Sequence, residues 1–541
     1  MATSERTVDV LVIGAGAAGL AAALAATRAG AEVMVAAAGT PGESHSVKAV
    51  GGMNGVFDRE ADWREHVHDT LRVGDGLADR AAVERMCASA SEVVAGLLSD
   101  GVEMRRELLG RTAHWQYTLP DITGLTIVEA LAGALERSGA QLRWGVRARA
   151  LAVSGGGCRG AWLASGRDEL HVRASAVVLA TGGYGALLSP SIAAAEADGS
   201  GLGLAYAAGA ELMDMEFVQF HPTVAAGSPV LVSERARGAG ARLLNGLGER
   251  FMERYDPERC ELAPRALVSQ AIDEELRAGR GCPEGGVLLD FAAVPAENWQ
   301  HIEFVRRELA RAVGVDVRER PVRVEPAVHY TMGGVAVGLD GRTNVPGLWA
   351  AGEAACVSVH GANRLGGNSL LDATVFGTRA GVAAAATAGD TAAAAPAGSG
   401  ATAAAAPPGN PATEGAPAAS GAAPPGDTPR PERAPDYRVG PELRALLGRC
   451  AGIRRDGDAL AEGLATLRAS WERDRQPAAA IAAAIVASAL AREESRGAHQ
   501  RTDHPMRDDE RWLAHSVVRR GADGFEPELS LRAVDAAVPA G

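Results

Sequence analysis

The sequence predicts an α/β protein in which a Rossmann-like domain is interrupted by an α+β capping domain and followed by a helical C-terminal domain. Three observations predict it. A continuous apolar strand, Val8 to Ile13, runs directly into Gly14-x-Gly16-x-x-Gly19, an alanine-rich helical stretch to about Arg28, and a second strand, Glu32 to Val35. Far along the chain, Ala174 to Ala180 forms another buried strand that ends in Thr181-Gly182-Gly183. After a less alanine-rich region from Phe217 to about Arg323, the apolar run Val345 to Ala351 returns to the buried-strand pattern. Such a return is expected of one nucleotide-binding domain split by a cap.

Between a strand and a helix, the three glycines carry a specific meaning. They permit a tight turn, let a pyrophosphate reach the helix N-terminus, and let helix and strand pack closely. A dinucleotide site is therefore expected at Gly14, Gly16 and Gly19. The second strand ends Val35-Ala36-Ala37-Ala38, without the acidic residue that grips a ribose hydroxyl. This weakens an NAD reading more than an FAD reading, since flavoproteins have other ways of holding the adenosine end. Ser44-His45-Ser46-Val47 then leads into a turn at Gly51-Gly52. Residues 60–100 read as helical, the pattern breaks around Leu109 to Ile122, and a helix resumes from Gly124 to Arg137. The expected division is a first FAD-binding part at 1–215, a cap at 216–335 and a second FAD-binding part at 336–382. An Ala/Pro-rich flexible linker follows at 383–435, too poor in large apolar side chains to offset its ordering. Helices return at 436–505, and a mixed segment at 506–541 is expected to wrap the surface.

Size and charge narrow the class. At 541 residues the chain exceeds one compact core. With 67 acidic and 54 basic residues, a net charge of −13 argues against nucleic acid as a partner. The cysteines (Cys87, Cys158, Cys260, Cys282, Cys356, Cys450) lie far apart with no CxxC spacing, so no disulfide framework, zinc site or iron–sulfur site is expected. The first strand leaves no room for a signal peptide, and the longest apolar run, Ala478 to Ala491, is shorter than the ~20 residues a spanning helix needs. A cytoplasmic protein is expected.

The most informative stretch is Gly352 to Asp372, GEAACVSVHGANRLGGNSLLD. Its glycines let backbone approach a flat ligand, and Arg364 offers a planar fork of donors suited to a carboxylate. By itself it also reads as a glycine-rich surface loop with an arginine ion pair. Together with Ser44–Val47, Glu216–Thr223, Ser233-Glu234 followed by Arg237, Gly248–Met252, Arg265, His329–Gly334 and Ser495–His499, it resembles the flavoprotein subunits of succinate dehydrogenase and fumarate reductase, with L-aspartate oxidase as a near relation. The resemblance covers nearly the whole chain except the linker.

It implies hydride transfer between flavin N5 and a carbon of a C4 dicarboxylate such as succinate or fumarate. His221, Ser233, His329 and Arg364 match the family's carboxylate-binding positions, and Arg265 matches its catalytic arginine, the proton shuttle. Glu234 and Arg237 match the relay that serves it. On a helix their spacing puts them on one face; apart from the resemblance they read as a local ion pair, and His221 as a packed turn residue. His45 aligns with the histidine joined covalently to the flavin in succinate dehydrogenases; the alternative is a solvent-exposed loop histidine. Ser44, Gly51, Gly52, Thr181, Gly182, Glu353, Ser369 and Leu370 are expected to face the cofactor. No metal is expected. Electrons are expected to leave through a separate iron–sulfur subunit, and membrane association, at the inner face, to come only through partners. An aspartate oxidase, or a flavin-holding subunit without turnover, remain alternatives. The chain departs from the family pattern at Val50, Ala239, Ala266 and Gln270, which bears on the substrate.

Overall fold

The computed structural model describes residues 3–40, 42–49, 52–55, 63–102, 105–108, 115–118, 123–393, 440–474 and 477–534. Its central seven-stranded sheet runs in the order Gln141–Trp144, Val33–Ala37, Thr3–Ile13, Asp168–Leu179, Gly157–Ser165 and Arg147–Ser154, with Leu348–Ala350 also paired to Asp168–Leu179. Thr3–Ile13 is parallel to both neighbours, with Val12 opposite Val35 on one side and Val178 on the other. Burial on both faces explains the apolar run at its end, Val10–Ile13. Leu348–Ala350 pairs in parallel with Val177–Leu179, so the chain does re-enter the same sheet after the cap. The meander of Arg147–Ser154 and Gly157–Ser165 was not anticipated. Its strands carry polar residues on an exposed face and so lack a continuous apolar signal.

The cap has its own four-stranded antiparallel sheet, ordered Val218–Ala225, Val322–Thr331, Val287–Asp290 and Arg242–Leu244, and its own core around Phe251, Ile272, Leu289 and Leu309. A further five-stranded sheet runs across the expected boundary at 335/336. It joins Ala355–Cys356, Gly334–Ala336, Leu212–Met213, Ala514–Arg520 and Pro527–Ala533. Leu212–Met213 and Gly334–Ala336, on either side of the cap, therefore pair with each other. The C-terminal segment does not simply wrap the surface: Val517 and Val518 are buried opposite Met213 and Leu212. The stretch read as a linker from 383 also begins later, because the helix Asn368–Ala393 continues into it. Its alanines favour helix and pack on Ala17–Arg28. Residues 394–439 and the sequence break from Leu109 to Ile122 lie wholly or largely outside the described residues.

The C-terminal helices are Pro441–Cys450, Gly457–Asp474 and Pro477–Ala491. The last is apolar all round because it is buried all round, from Ala478 to Ala489. No helix of the described residues is long and apolar enough to cross a membrane.

Candidate active site

Gly14 explains the start of the cofactor cleft. It has φ +111°, and a Cβ there would lie 2.1 Å from the Ala180 carbonyl oxygen. Only glycine lets the two strand ends close at this point. Gly19 serves packing instead: its Cβ would meet the Gly14 carbonyl oxygen at 2.0 Å, and it is not among the residues lining the cleft. The cleft has a volume of about 460 Å³ and is lined by Gly14, Gly16, Ser44, His45, Thr181, Gly182, Glu353, Ser369 and Leu370, all expected from sequence. Gly52 has φ +86° and lies buried outside it, and Gly51 falls outside the described residues. Ser44 Oγ and Thr181 Oγ1 are buried with no hydrogen-bond partner among the described residues. A glycine turn at a helix N-terminus, with orphaned hydroxyls along the cleft, fits a dinucleotide.

The ribose-binding acid missing from the second strand has a neighbour in space. Glu43, from the following loop, lines the same cleft and folds back so that its carboxylate accepts from the Thr40 amide (2.6 Å) and hydroxyl (2.9 Å). Its sequence position, after Pro41-Gly42, gave no sign of this.

His45 is not an exposed loop residue. It begins a short 3₁₀ turn, its side chain is 15% exposed, its Nε2 lies 3.0 Å from the His329 carbonyl oxygen, and its Nδ1 accepts from the Ala194 amide at 3.2 Å. Glu353 Oε1 accepts from the Thr331 amide (2.9 Å) and hydroxyl (3.0 Å), tying the cofactor side to the His329-Tyr330-Thr331 strand end. At that end the cleft reaches His329 and Tyr330.

Here the expected anion-binding residues converge. His221 and His329 come from the cap's two long strands and meet edge to face, ring centroids 5.5 Å apart. Arg265 opens the helix Arg265–Arg277, and its Nε lies 3.3 Å from Glu234 Oε2. Glu234 and Arg237 do lie on a short helix, Glu234–Gly238, which Ser233 immediately precedes. Arg237 is buried and donates through Nη1 to the Glu261 carbonyl. His221 Nε2, His329 Nδ1 and Arg364 Nε are buried with no partner among the described residues. Buried polar groups are nearly always bonded, so several orphans facing one region mark a ligand site.

The charges confirm the crowding. Burial, then the fields of Arg265, Arg237 and Arg364, holds His221 well below the ordinary imidazole range. Burial, Arg364, His221 and Arg265 do the same to His329. Both rings are therefore neutral hydrogen-bonding groups at pH 7. Arg364 is pulled down to about 10 by burial and by Arg265, and remains a cation. Burial pushes the Glu234 carboxyl up, but Arg265 and Arg237 outweigh it and the net shift is downward. Its side chain keeps 47% of its surface exposed.

Two residues of this site were missed. Gln219 is 1% exposed; its Nε2 donates to Asn363 Oδ1 (2.8 Å) and the Arg364 carbonyl (2.9 Å), and its Oε1 accepts from Arg265 Nη1 (3.4 Å). It ties the cap's arginine to that of the FAD-binding part. Its spacing of two from His221 on a strand was the available signal. Asn54 donates to the Gly366 carbonyl (2.6 Å) and to Asn368 Oδ1 (2.9 Å), fixing the glycine turn beneath Arg265. A Cβ on Gly366 would lie 2.8 Å from Arg265 Nη2, the movable end of that side chain. Gly366→Ala is accordingly expected to displace Arg265 and lower turnover roughly 10- to 100-fold while FAD and thermal midpoint are retained. Unchanged turnover in that variant would remove the importance given to this contact.

Ser495–His499 holds the site from outside. The Ala498 amide donates to the Ala362 carbonyl at 2.9 Å, and a Cβ on Gly497 would collide with that oxygen at 2.4 Å. The motif thus buttresses the turn that carries Arg364.

A glycine-lined dinucleotide cleft that reaches the buried end of the cap is the arrangement of a cofactor-dependent oxidoreductase. Comparison with known proteins is more specific. Residues 9–370 match the FAD binding domain family, and residues 476–539 match the fumarate reductase flavoprotein C-terminal family. The chain is 37% identical over 565 residues to the fumarate reductase flavoprotein subunit of Mycobacterium tuberculosis, covering 95% of each chain. It is 38% identical over 516 residues to the L-aspartate oxidase of Caulobacter vibrioides, covering 92% of this chain and 94% of that one. A quinol–fumarate reductase solved with menaquinol superimposes with a TM-score of 0.85 at 28% identity, covering 100% of both chains. The chain therefore belongs to the succinate dehydrogenase/fumarate reductase flavoprotein family, whose members are FAD-dependent oxidoreductases.

Proposed function

We propose that this chain interconverts succinate and fumarate, with Arg265 as the proton shuttle. The observation that carries the reading is the convergence of Arg265, Arg364, His221 and His329, with buried donors left unpaired, at the end of the FAD cleft. Arg364 and the imidazoles of His221 and His329, with Ser233, are suited to hold the two carboxylates of a C4 dicarboxylate. FAD, once bound, would supply hydride chemistry at N5. In the reducing direction fumarate takes up one hydride and one proton to become succinate, and Arg265 gives that proton to the substrate carbon. A guanidinium yields a proton reluctantly. Arg364 lies close enough for Arg265 to depress it, so both guanidiniums are within reach of one bound anion. Glu234 at 3.3 Å, with Arg237 beside it, is positioned to restore the proton.

The cofactor residues are proposed as Gly14, Gly16, Ser44, His45, Thr181, Gly182, Glu353, Ser369 and Leu370, with Gly19 shaping the turn. His45, inside the cleft, is proposed as the attachment point for a covalent flavin. Electrons are proposed to leave through an iron–sulfur subunit, and any membrane contact to come through partners. The 38% identity to an L-aspartate oxidase supports a second reading, in which the substrate is aspartate. Purified FAD-loaded protein, assayed with a dye acceptor against succinate and aspartate and with reduced dye against fumarate, separates the two. The first reading expects turnover of succinate or fumarate together with acid-stable flavin in the denatured protein. Rapid peroxide formation from aspartate, or binding of FAD without dicarboxylate turnover, would overturn it.

A further inference from the structure

Arg364 is 3% exposed, yet among the described residues no carboxylate is bonded to it; Nη1 donates only to the Leu365 carbonyl at 3.2 Å. Compensation comes at its face. The guanidinium carbon lies 4.4 Å from the centroid of the Tyr330 ring. The Tyr330 hydroxyl donates to Asp372 Oδ2 at 3.3 Å, and His360 Nε2 lies 3.3 Å from both that hydroxyl and that carboxylate. Tyr330, His360 and Asp372 are each at most 5% exposed.

The arrangement solves a problem of geometry. A carboxylate paired in the plane of a guanidinium occupies its N–H edge, which a substrate carboxylate also needs. A ring beneath the face leaves that edge open, and Arg364 Nε is indeed without a partner. Burial, reinforced by Asp372, holds the Tyr330 hydroxyl well above its ordinary range, so it remains a donor to the carboxylate. A phenol donating to a carboxylate carries more negative charge into its ring and attracts a desolvated cation more strongly.

We propose that Tyr330, polarised by Asp372 and oriented by His360, is a positioning residue that compensates Arg364 from its face and keeps its N–H edge open to the substrate carboxylate. The proposal rests on the dicarboxylate reading above. Asp372 lies on the helix whose first turn lines the cofactor cleft, so the same contact links cofactor side and substrate side.

Malonate, a dicarboxylate that cannot be oxidised between its carboxylates, tests this on FAD-loaded protein through the perturbation of flavin absorbance. Tyr330→Phe keeps the ring and its packing but removes the link to Asp372; Asp372→Asn removes the charge. Each is expected to raise the malonate dissociation constant roughly 5- to 20-fold and the KM for succinate in parallel, with kcat within about threefold. Tyr330→Leu is expected to lose more. A purely structural cluster would lower the thermal midpoint and leave malonate affinity unchanged in whichever variants fold; that result, in either Tyr330→Phe or Asp372→Asn, overturns the proposal. Wild-type protein that binds FAD but no malonate instead overturns the dicarboxylate reading itself.

Discussion

Arg265→Lys is expected to lower succinate–fumarate turnover by at least about a thousandfold, on the order of 4 kcal/mol of transition-state stabilisation, while FAD stays bound. Lysine keeps the positive charge but not the planar fork. In the native site Arg265 reaches Glu234 through Nε at 3.3 Å and Gln219 through Nη1 at 3.4 Å, two directions that one ammonium on a shorter reach cannot satisfy together with the substrate. Arg265 is not among the residues lining the cleft, so the flavin spectrum and FAD content serve as the control. A variant that turns over within tenfold of wild type would remove Arg265 from the proton step.

The second large effect concerns stability. Arg492 is fully buried, with its Nε 2.6 Å from Glu216 Oε1, its Nη1 2.9 Å from Glu494 Oε1, and further bonds to the carbonyls of Trp512 (3.0 Å) and Ala514 (2.7 Å). Glu494 keeps Arg496 as a second partner, but the remaining side-chain bond of Glu216 is from Ser516 Oγ at 2.7 Å. Arg492→Leu therefore strands the Glu216 carboxylate at 0% exposure. Removing one member of such a pair costs about 3–5 kcal/mol because the other charge stays buried. The midpoint of urea unfolding is expected to fall accordingly. Glu216→Leu combined with Arg492→Leu is expected to recover part of the loss, since the desolvated charge is then gone. A single variant as stable as wild type would show that water or rearrangement reaches Glu216.

These two sites differ in how far they were readable. Glycines between a strand and a helix have few physical uses, so Gly14-x-Gly16-x-x-Gly19 by itself implied a dinucleotide cleft. The match of His221, His329, Arg265 and Arg364 to family motifs led to the expectation of an anion site, and these four residues lie near one another in the fold. Gln219 was legible only as strand alternation, because its amide acquires meaning from Arg265 and Asn363, which lie far away in sequence. Asp372 was quoted in the richest stretch, yet nothing local showed that it stands behind a tyrosine under Arg364. The C-terminal strands were hidden for a related reason. Ala514–Arg520 buries the polar His515 and Ser516 beside Val517 and Val518, Pro527–Ala533 is almost wholly exposed, and Leu212–Met213, which pairs with Ala514–Arg520, is too short to give a signal of its own.

By itself the sequence determined the cofactor-binding frame and the residue types able to meet a dicarboxylate, since both follow from local rules: glycine geometry, strand and helix periodicity, and the chemistry of imidazole and guanidinium. The tertiary structure alone decided which groups become neighbours, and therefore their charge state and orientation. Burial and mutual fields hold His221 and His329 neutral, and Arg364 has a ring at its face with its N–H edge left open. Those are properties of distances between segments far apart in the sequence, and no local pattern of residues encodes them.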